Sequence, residues 1–127
     1  MNKRIAIITP GGDASGMNAC IRAVVRRATA IGFDVFGVMN GYQGLIEENI
    51  FKMGPRSVSG IIYHGGTILK SSRCAQIRTP NGVEKAFFTL SKNKINSLVV
   101  IGGDGSFAAA EKIASHKQQN EISVICI

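Results

Sequence analysis

Two stretches set an aspartate among glycines directly after an apolar run: Gly11-Gly12-Asp13-Ala14-Ser15-Gly16 and Gly102-Gly103-Asp104-Gly105-Ser106. Glycine lets main-chain N–H groups come close to an anion, and a helix N-terminus behind such a turn adds free donors and the positive end of a dipole. An aspartate alone repels a phosphate. A magnesium ion held between carboxylate and phosphate oxygens reverses that, since Mg²⁺ takes one or two carboxylates together with nucleotide oxygens. Asp104 also has a simpler reading, as a helix cap beside glycines that only turn the chain. Three glycines around one carboxylate exceed what a cap requires and favour the phosphate chemistry. Gly11 and Gly16 have the glycine spacing of a P-loop, but Met17-Asn18 stands where Lys-Ser/Thr is needed, and the G-x-G-x-x-G pattern is absent.

Arg22 and Arg26 lie four residues apart, on the side of a helix opposite its apolar stripe. A solvated basic face is the usual fate of such a pair, and an anion site is the sharper alternative. Tyr42, Arg73 and Cys74 fall in loops after expected elements, where binding residues tend to sit. His64 and His116 show no partner pattern and read as structural or exposed.

The elements that must position these groups follow from hydrophobic periodicity. Arg4 to Thr9 is a nearly continuous apolar run, as in a parallel strand covered on both faces. Met17, Cys20, Ile21, Val24, Val25 and Ala28 form one helical stripe, ended near Gly32. Residues 34–39 read as a strand and 40–44 as a loop; 49–53 is a short strand, and 55–63 a helix opening on Pro55. A polar loop through Arg73, Cys74, Arg78 and Thr79 precedes a helix from Pro80 to about Lys94, with Val83, Ala86, Phe87 and Leu90 inward. Ser97–Ile101 is the clearest buried strand, Phe107 to about His116 an Ala-rich helix, and Ile122–Ile127 a closing strand of core character. Strands alternating with helices mean an α/β layered fold, a mainly parallel, Rossmann-like sheet with helices on both faces. Two Gly-Gly-Asp turns after parallel strands would lie along one edge of that sheet.

The 127 residues make one domain, 1–127, and 45% apolar residues are enough for a core. No apolar run approaches the ~18 residues of a membrane span, and no secretory signal opens the chain. Cys20, Cys74 and Cys126 are odd in number and lack metal-ligand spacing, which reads as reduced thiols in a cytoplasmic protein. A net charge of +7 suits acidic ligands. The basic residues form neither a stripe nor a recognisable motif, so phosphorylated small molecules fit better than nucleic acid. The chain stops at the end of an apolar strand with nothing to cover it, which reads as an incomplete piece of a larger two-domain subunit.

Gly11-Gly12-Asp13 with Gly16-Met17-Asn18, Asn40-Gly41-Tyr42-Gln43-Gly44-Leu45, Gly65-Gly66-Thr67, Arg73-Cys74 and Val99 through Ser106, in this order, resemble the amino-terminal, nucleotide-binding part of bacterial ATP-dependent 6-phosphofructokinases. The resemblance covers essentially the whole chain. It implies phosphoryl transfer from MgATP to the 1-hydroxyl of fructose 6-phosphate, giving fructose 1,6-bisphosphate in glycolysis. It also implies ATP contacts from Gly12, Tyr42, Arg73, Cys74, Gly103, Asp104, Gly105 and Ser106, with Mg²⁺ on Asp104. An effector site for ADP or phosphoenolpyruvate would take Arg22, Ala23, Val24, Val25 and Arg26 with Pro55, Arg56, Ser57, Val58, Ser59 and Gly60, in a homotetramer. The chain departs from the family at Ser15, where a proline is usual, and at Gly60, where an acidic residue is frequent, with Arg56 slightly displaced. Gly105, where pyrophosphate-using relatives commonly carry Asp, points to ATP as donor. The family's catalytic Asp loop would begin after Ile127, so the piece by itself is expected to be inactive. A stand-alone MgATP- or phosphate-binding module is the alternative.

Overall fold

The computed structural model describes residues 3–11, 16–61, 66–116 and 122–127, with Asp104 described by its main chain. Nine elements are built from them: β1 Arg4–Ile8, α1 Met17–Ala30, β2 Asp34–Val38, α2 Gly41–Ile46, β3 Ile50–Met53, α3 Pro80–Lys92, β4 Ser97–Val100, α4 Asp104–Ala114 and β5 Ser123–Cys126. Short 3-10 turns occupy Pro55–Val58 and Ala75–Arg78.

The sheet order is β3-β2-β1-β4-β5. β1 pairs in parallel with both β2 and β4, β5 continues parallel beside β4, and β3 alone is antiparallel. Because side chains alternate along a strand, the apolar runs divide into two cores. Ala6, Ile8, Leu98 and Val100 face one layer, built by α2, α3 and α4; Ile5, Ile7, Val99 and Ile101 face the other, built by α1. Leu98 is completely buried. Burying one such side chain contributes ~1.5–3 kcal/mol before entropy is counted. The expected inward face of α3, Val83, Ala86, Phe87 and Leu90, is buried as read. Pro80 starts that helix, and the Thr79 hydroxyl caps it by accepting the Gly82 N–H at 3.0 Å.

Three local expectations are corrected. Residues 41–46 are helical, not loop: Asn40 turns the chain in a left-handed conformation (φ 65°) and α2 follows immediately. The helix expected over 55–63 is a 3-10 turn at Pro55–Val58, interrupted where Ser59 is extended and Gly60 takes φ 72°, while 62 and 63 lie outside the described residues. The helix expected from Phe107 begins at Asp104, since the Ser106 and Phe107 N–H groups already close onto the Gly103 carbonyl. The closing strand forms as read, parallel beside β4, with Ile125 and Ile127 each 51% exposed in these 127 residues.

Candidate functional site

The chain leaves β1 toward β2 on one side and leaves β4 toward β5 on the other, so the strand order reverses between β1 and β4. In an open α/β sheet, such a reversal opens a crevice beyond the carboxyl ends of the two strands. Both glycine turns converge there. A methyl placed on Gly11 would lie 3.6 Å from Ser106 Oγ and 3.7 Å from Gly102 Cα, so the first turn touches the second. Gly12 and Asp13 lie outside the described residues.

Glycine is needed for different reasons along the second turn. On Gly102 a methyl would press on Ser106 Oγ at 3.0 Å, so the fold itself favours glycine there. Around Gly103 and Gly105 a methyl would meet nothing within 4 Å, and Gly103 sits in an ordinary extended conformation. Those two glycines leave open space at a helix N-terminus whose first N–H groups have no intrahelical acceptor.

That space belongs to an open cleft of about 760 Å³, lined by Tyr42, Arg73, Cys74, Gly105 and Ser106 from among the expected residues. Gly103 is exposed beside it, as the residue capping α4. The cleft adds Arg78 and Lys112, which sequence reasoning did not single out. Lys112 follows Gly105 by seven residues on α4, so helical periodicity carries a signal for it; Arg78 is delivered by a 3-10 turn that no periodicity marks. Arg73, Arg78 and Lys112 give the wall three positive charges, while no carboxylate or imidazole is among its described lining. Low-dielectric walls lined by one sign of charge concentrate the opposite sign.

Tyr42, 4% exposed, donates its hydroxyl to the Ser106 carbonyl and so ties α2 to the first turn of α4. Burial, and then the charge of Cys126, push this phenol well above the usual tyrosine range, so it remains a donor. Tyr42→Phe is expected to lower unfolding free energy by about 1 kcal/mol in urea titration. An unchanged midpoint would show that the bond contributes nothing.

The expected effector residues lie on the other face. α1 packs on the Pro55–Val58 turn, and Val25 and Val58 share the α1-side core. Their side chains are fully buried, so only their main chain is available to a ligand. Arg26, Ala23, Pro55, Arg56, Ser57, Ser59 and Gly60 are exposed, and Arg22 and Val24 half-buried. Among the described residues neither Arg22, Arg26 nor Arg56 has a carboxylate partner.

Asp104 is the first residue of α4. No group of three or more His, Cys, Asp or Glu converges among the described residues. Mg²⁺ takes one or two carboxylates together with phosphate and water oxygens, and Asp104 offers one carboxylate at the start of α4.

An open, mainly parallel sheet with its crevice between two glycine turns defines the doubly wound α/β class, whose ligands bind at the carboxyl ends of the strands. The sequence model described as Phosphofructokinase matches residues 4–127, and the chain belongs to the phosphofructokinase family. It is 56% identical over 112 residues to the ATP-dependent 6-phosphofructokinase of Clostridioides difficile (strain 630), an alignment covering 88% of this chain and 35% of that one. The ATP-dependent 6-phosphofructokinase of Cytophaga hutchinsonii is 46% identical over 125 residues, 98% of this chain and 37% of that one. Among solved structures, phosphofructokinase from Saccharomyces cerevisiae superposes with a TM-score of 0.90 at 33% identity, over 99% of this chain and 20% of that one. A pyrophosphate-dependent phosphofructokinase from Marinobacter aquaeolei, at 18% identity and a TM-score of 0.77 over 98% of this chain and 32% of that one, shares the fold. The chain spans about a third of the length of the curated relatives it matches. Among the described residues no helix is long and apolar enough to cross a membrane.

Proposed function

We propose that residues 1–127 form the nucleotide-binding part of a cytoplasmic ATP-dependent 6-phosphofructokinase, acting with MgATP on fructose 6-phosphate. The observation that carries this reading is the cleft at the strand-order reversal, where Gly103 and Gly105 leave space that the fold does not use. Phosphoryl transfer is mainly positioning and charge stabilisation, and the parts present supply both. The N–H groups at the start of α4 and the Gly11 turn approach phosphate oxygens, while Arg73, Arg78 and Lys112 offset their charge. Cys74 and the Tyr42 ring give the cleft an apolar wall continuous with the core. Asp104, with Gly12 in the facing turn, would hold Mg²⁺ and nucleotide; the ion's contribution is to neutralise phosphate charge. Turnover also needs a group to receive the proton of the sugar hydroxyl, and the chain spans only about a third of its curated relatives, so it is expected to bind nucleotide without turning it over.

On the opposite face, Arg22 and Arg26, with the main chain from Pro55 to Gly60, form one half of an effector site for ADP or phosphoenolpyruvate. That these arginines have no carboxylate partner among the described residues supports an anionic ligand. The other half would come from a neighbouring subunit of a homotetramer.

Calorimetric titration tests the nucleotide reading. The chain is expected to bind ATP with magnesium, and Asp104→Asn to weaken that binding by about tenfold, or 1.4 kcal/mol. In EDTA, where the carboxylate would face phosphate without the ion, the variant should bind at least as well as the original chain. No binding at millimolar MgATP would overturn the reading, and an equal loss in EDTA would remove Asp104 from the metal.

A further inference from the structure

The Gly66-Thr67 motif does not line the cleft as described, yet several hydrogen bonds tie it to β1, α1 and the start of α2. Thr9, at the carboxyl end of β1, is fully buried and Thr67 nearly so. Thr9 Oγ1 lies 3.0 Å from Thr67 Oγ1 and donates to the Lys70 carbonyl at 3.1 Å. Thr67 Oγ1 accepts the Leu69 N–H at 3.2 Å. Each hydroxyl has one proton. Since the Thr9 proton goes to Lys70, Thr67 must donate to Thr9, which leaves a single ordered relay: Thr67 to Thr9 to the Lys70 carbonyl. The Lys70 N–H closes the turn on the Thr67 carbonyl at 3.1 Å, with Lys70 held at φ 60°.

The turn is also pinned from outside. The Ile68 N–H donates to Asn18 Oδ1 of α1 at 2.8 Å, and the Leu69 carbonyl accepts the Asn40 N–H at 2.9 Å, just before α2. Leu69 packs in the α1-side core, while Cys74 and Ile77 pack on the opposite one, so the chain crosses the carboxyl edge of the sheet between them. Over that crossing, residues 71–73 make no main-chain hydrogen bond to other described segments. Arg73 lies between two anchored stretches, the turn at Thr67–Lys70 and the 3-10 turn at Ala75–Arg78.

We propose that the Thr67–Thr9 relay is the positioning device that holds Arg73 in the cleft, an inference that rests on the nucleotide reading above. Thr67 acts through Arg73 and touches no ligand itself. Thr67→Val keeps the shape of the side chain but removes the proton that reaches Thr9 and the acceptor of Leu69.

A double-mutant cycle on MgATP affinity tests this, using Thr67→Val, Arg73→Ala and the pair. Thr67→Val is expected to weaken binding by about tenfold alone and by less than about twofold once Arg73 is alanine, because contacts acting through one group are not additive. Thr67→Ser should restore affinity. Fully additive losses would overturn the proposal. Hydrogen exchange on the nucleotide-free chain gives a second readout: Thr67→Val should speed exchange at 69–74 while leaving α4 unchanged. Exchange that rises uniformly, or not at all, would overturn it. Thr9→Val must give the same pattern and serves if Thr67→Val does not fold. If the unmodified chain binds no MgATP, the nucleotide reading fails, and the exchange pattern alone decides the positioning role.

Discussion

Gly44→Ala is expected to destabilise the chain by about 3 kcal/mol or more, against the ordinary gain from replacing a helical glycine. Gly44 sits within α2, and a methyl on it would stand 1.6 Å from the Met39 carbonyl oxygen and 2.8 Å from its carbon. Neither is the yielding end of a flexible side chain. Gly44 is held on both sides, donating to the Asn40 carbonyl at 3.4 Å and accepting the Asn49 N–H at 2.7 Å. Relief would have to move α2 off the end of β2, taking with it Tyr42 and its bond to Ser106. Domains of this kind have only ~5–15 kcal/mol of stability, so a loss of that size should show as a large drop in the urea midpoint. Gly54→Ala is the control: its methyl meets nothing within 4 Å and its φ is −143°. Equal midpoints for the two variants would mean that the close approach at Met39 does not exist in solution.

Gly105→Asp is expected to do the reverse, leaving the fold intact and abolishing most nucleotide binding. Gly105 is the second residue of α4, and no atom lies within 4 Å of where a side chain would start. A carboxylate in the first turn of a helix is favourable by ~0.3–1 kcal/mol, so thermal stability should hold or rise slightly. The same carboxylate enters the cleft beside Ser106 and faces the phosphates that Arg73, Arg78 and Lys112 attract. MgATP affinity should fall by at least about tenfold, most steeply at low salt, where charge repulsion is least screened. Gly105→Ala separates bulk from charge and should cost less. Unchanged affinity in Gly105→Asp would place the phosphates elsewhere and sink the cleft as nucleotide site.

Parts of the site were legible because they are local. The glycine turns announce themselves by composition, and a continuous apolar run and a period-3.6 pattern assign Ile5 to Ile8 and the Val83, Ala86, Phe87, Leu90 face to buried positions. Arg78 and Lys112 were not legible as a pair, because their convergence depends on how the Ala75–Arg78 turn docks against α2 and α3. The Asn40 to Gly44 stretch read as a loop because its two glycines are turn signals in isolation. Gly44 lies in a helix instead, close against the Met39 carbonyl just past β2, an approach that no local signal marks.

From the amino-acid order alone came the α/β class, the two phosphate-type turns, the inward helix faces and the resemblance to a family of kinases. Each depends on residues close together in the chain. The tertiary structure decided the strand order, the antiparallel β3 and the reversal between β1 and β4 that opens the crevice. It also decided that Tyr42 holds Ser106 and that Thr67 meets Thr9 across 58 residues. Such pairings reflect competition among distant segments for the same strand edges and core space, and hydrophobic period specifies what must be buried without specifying against which partner.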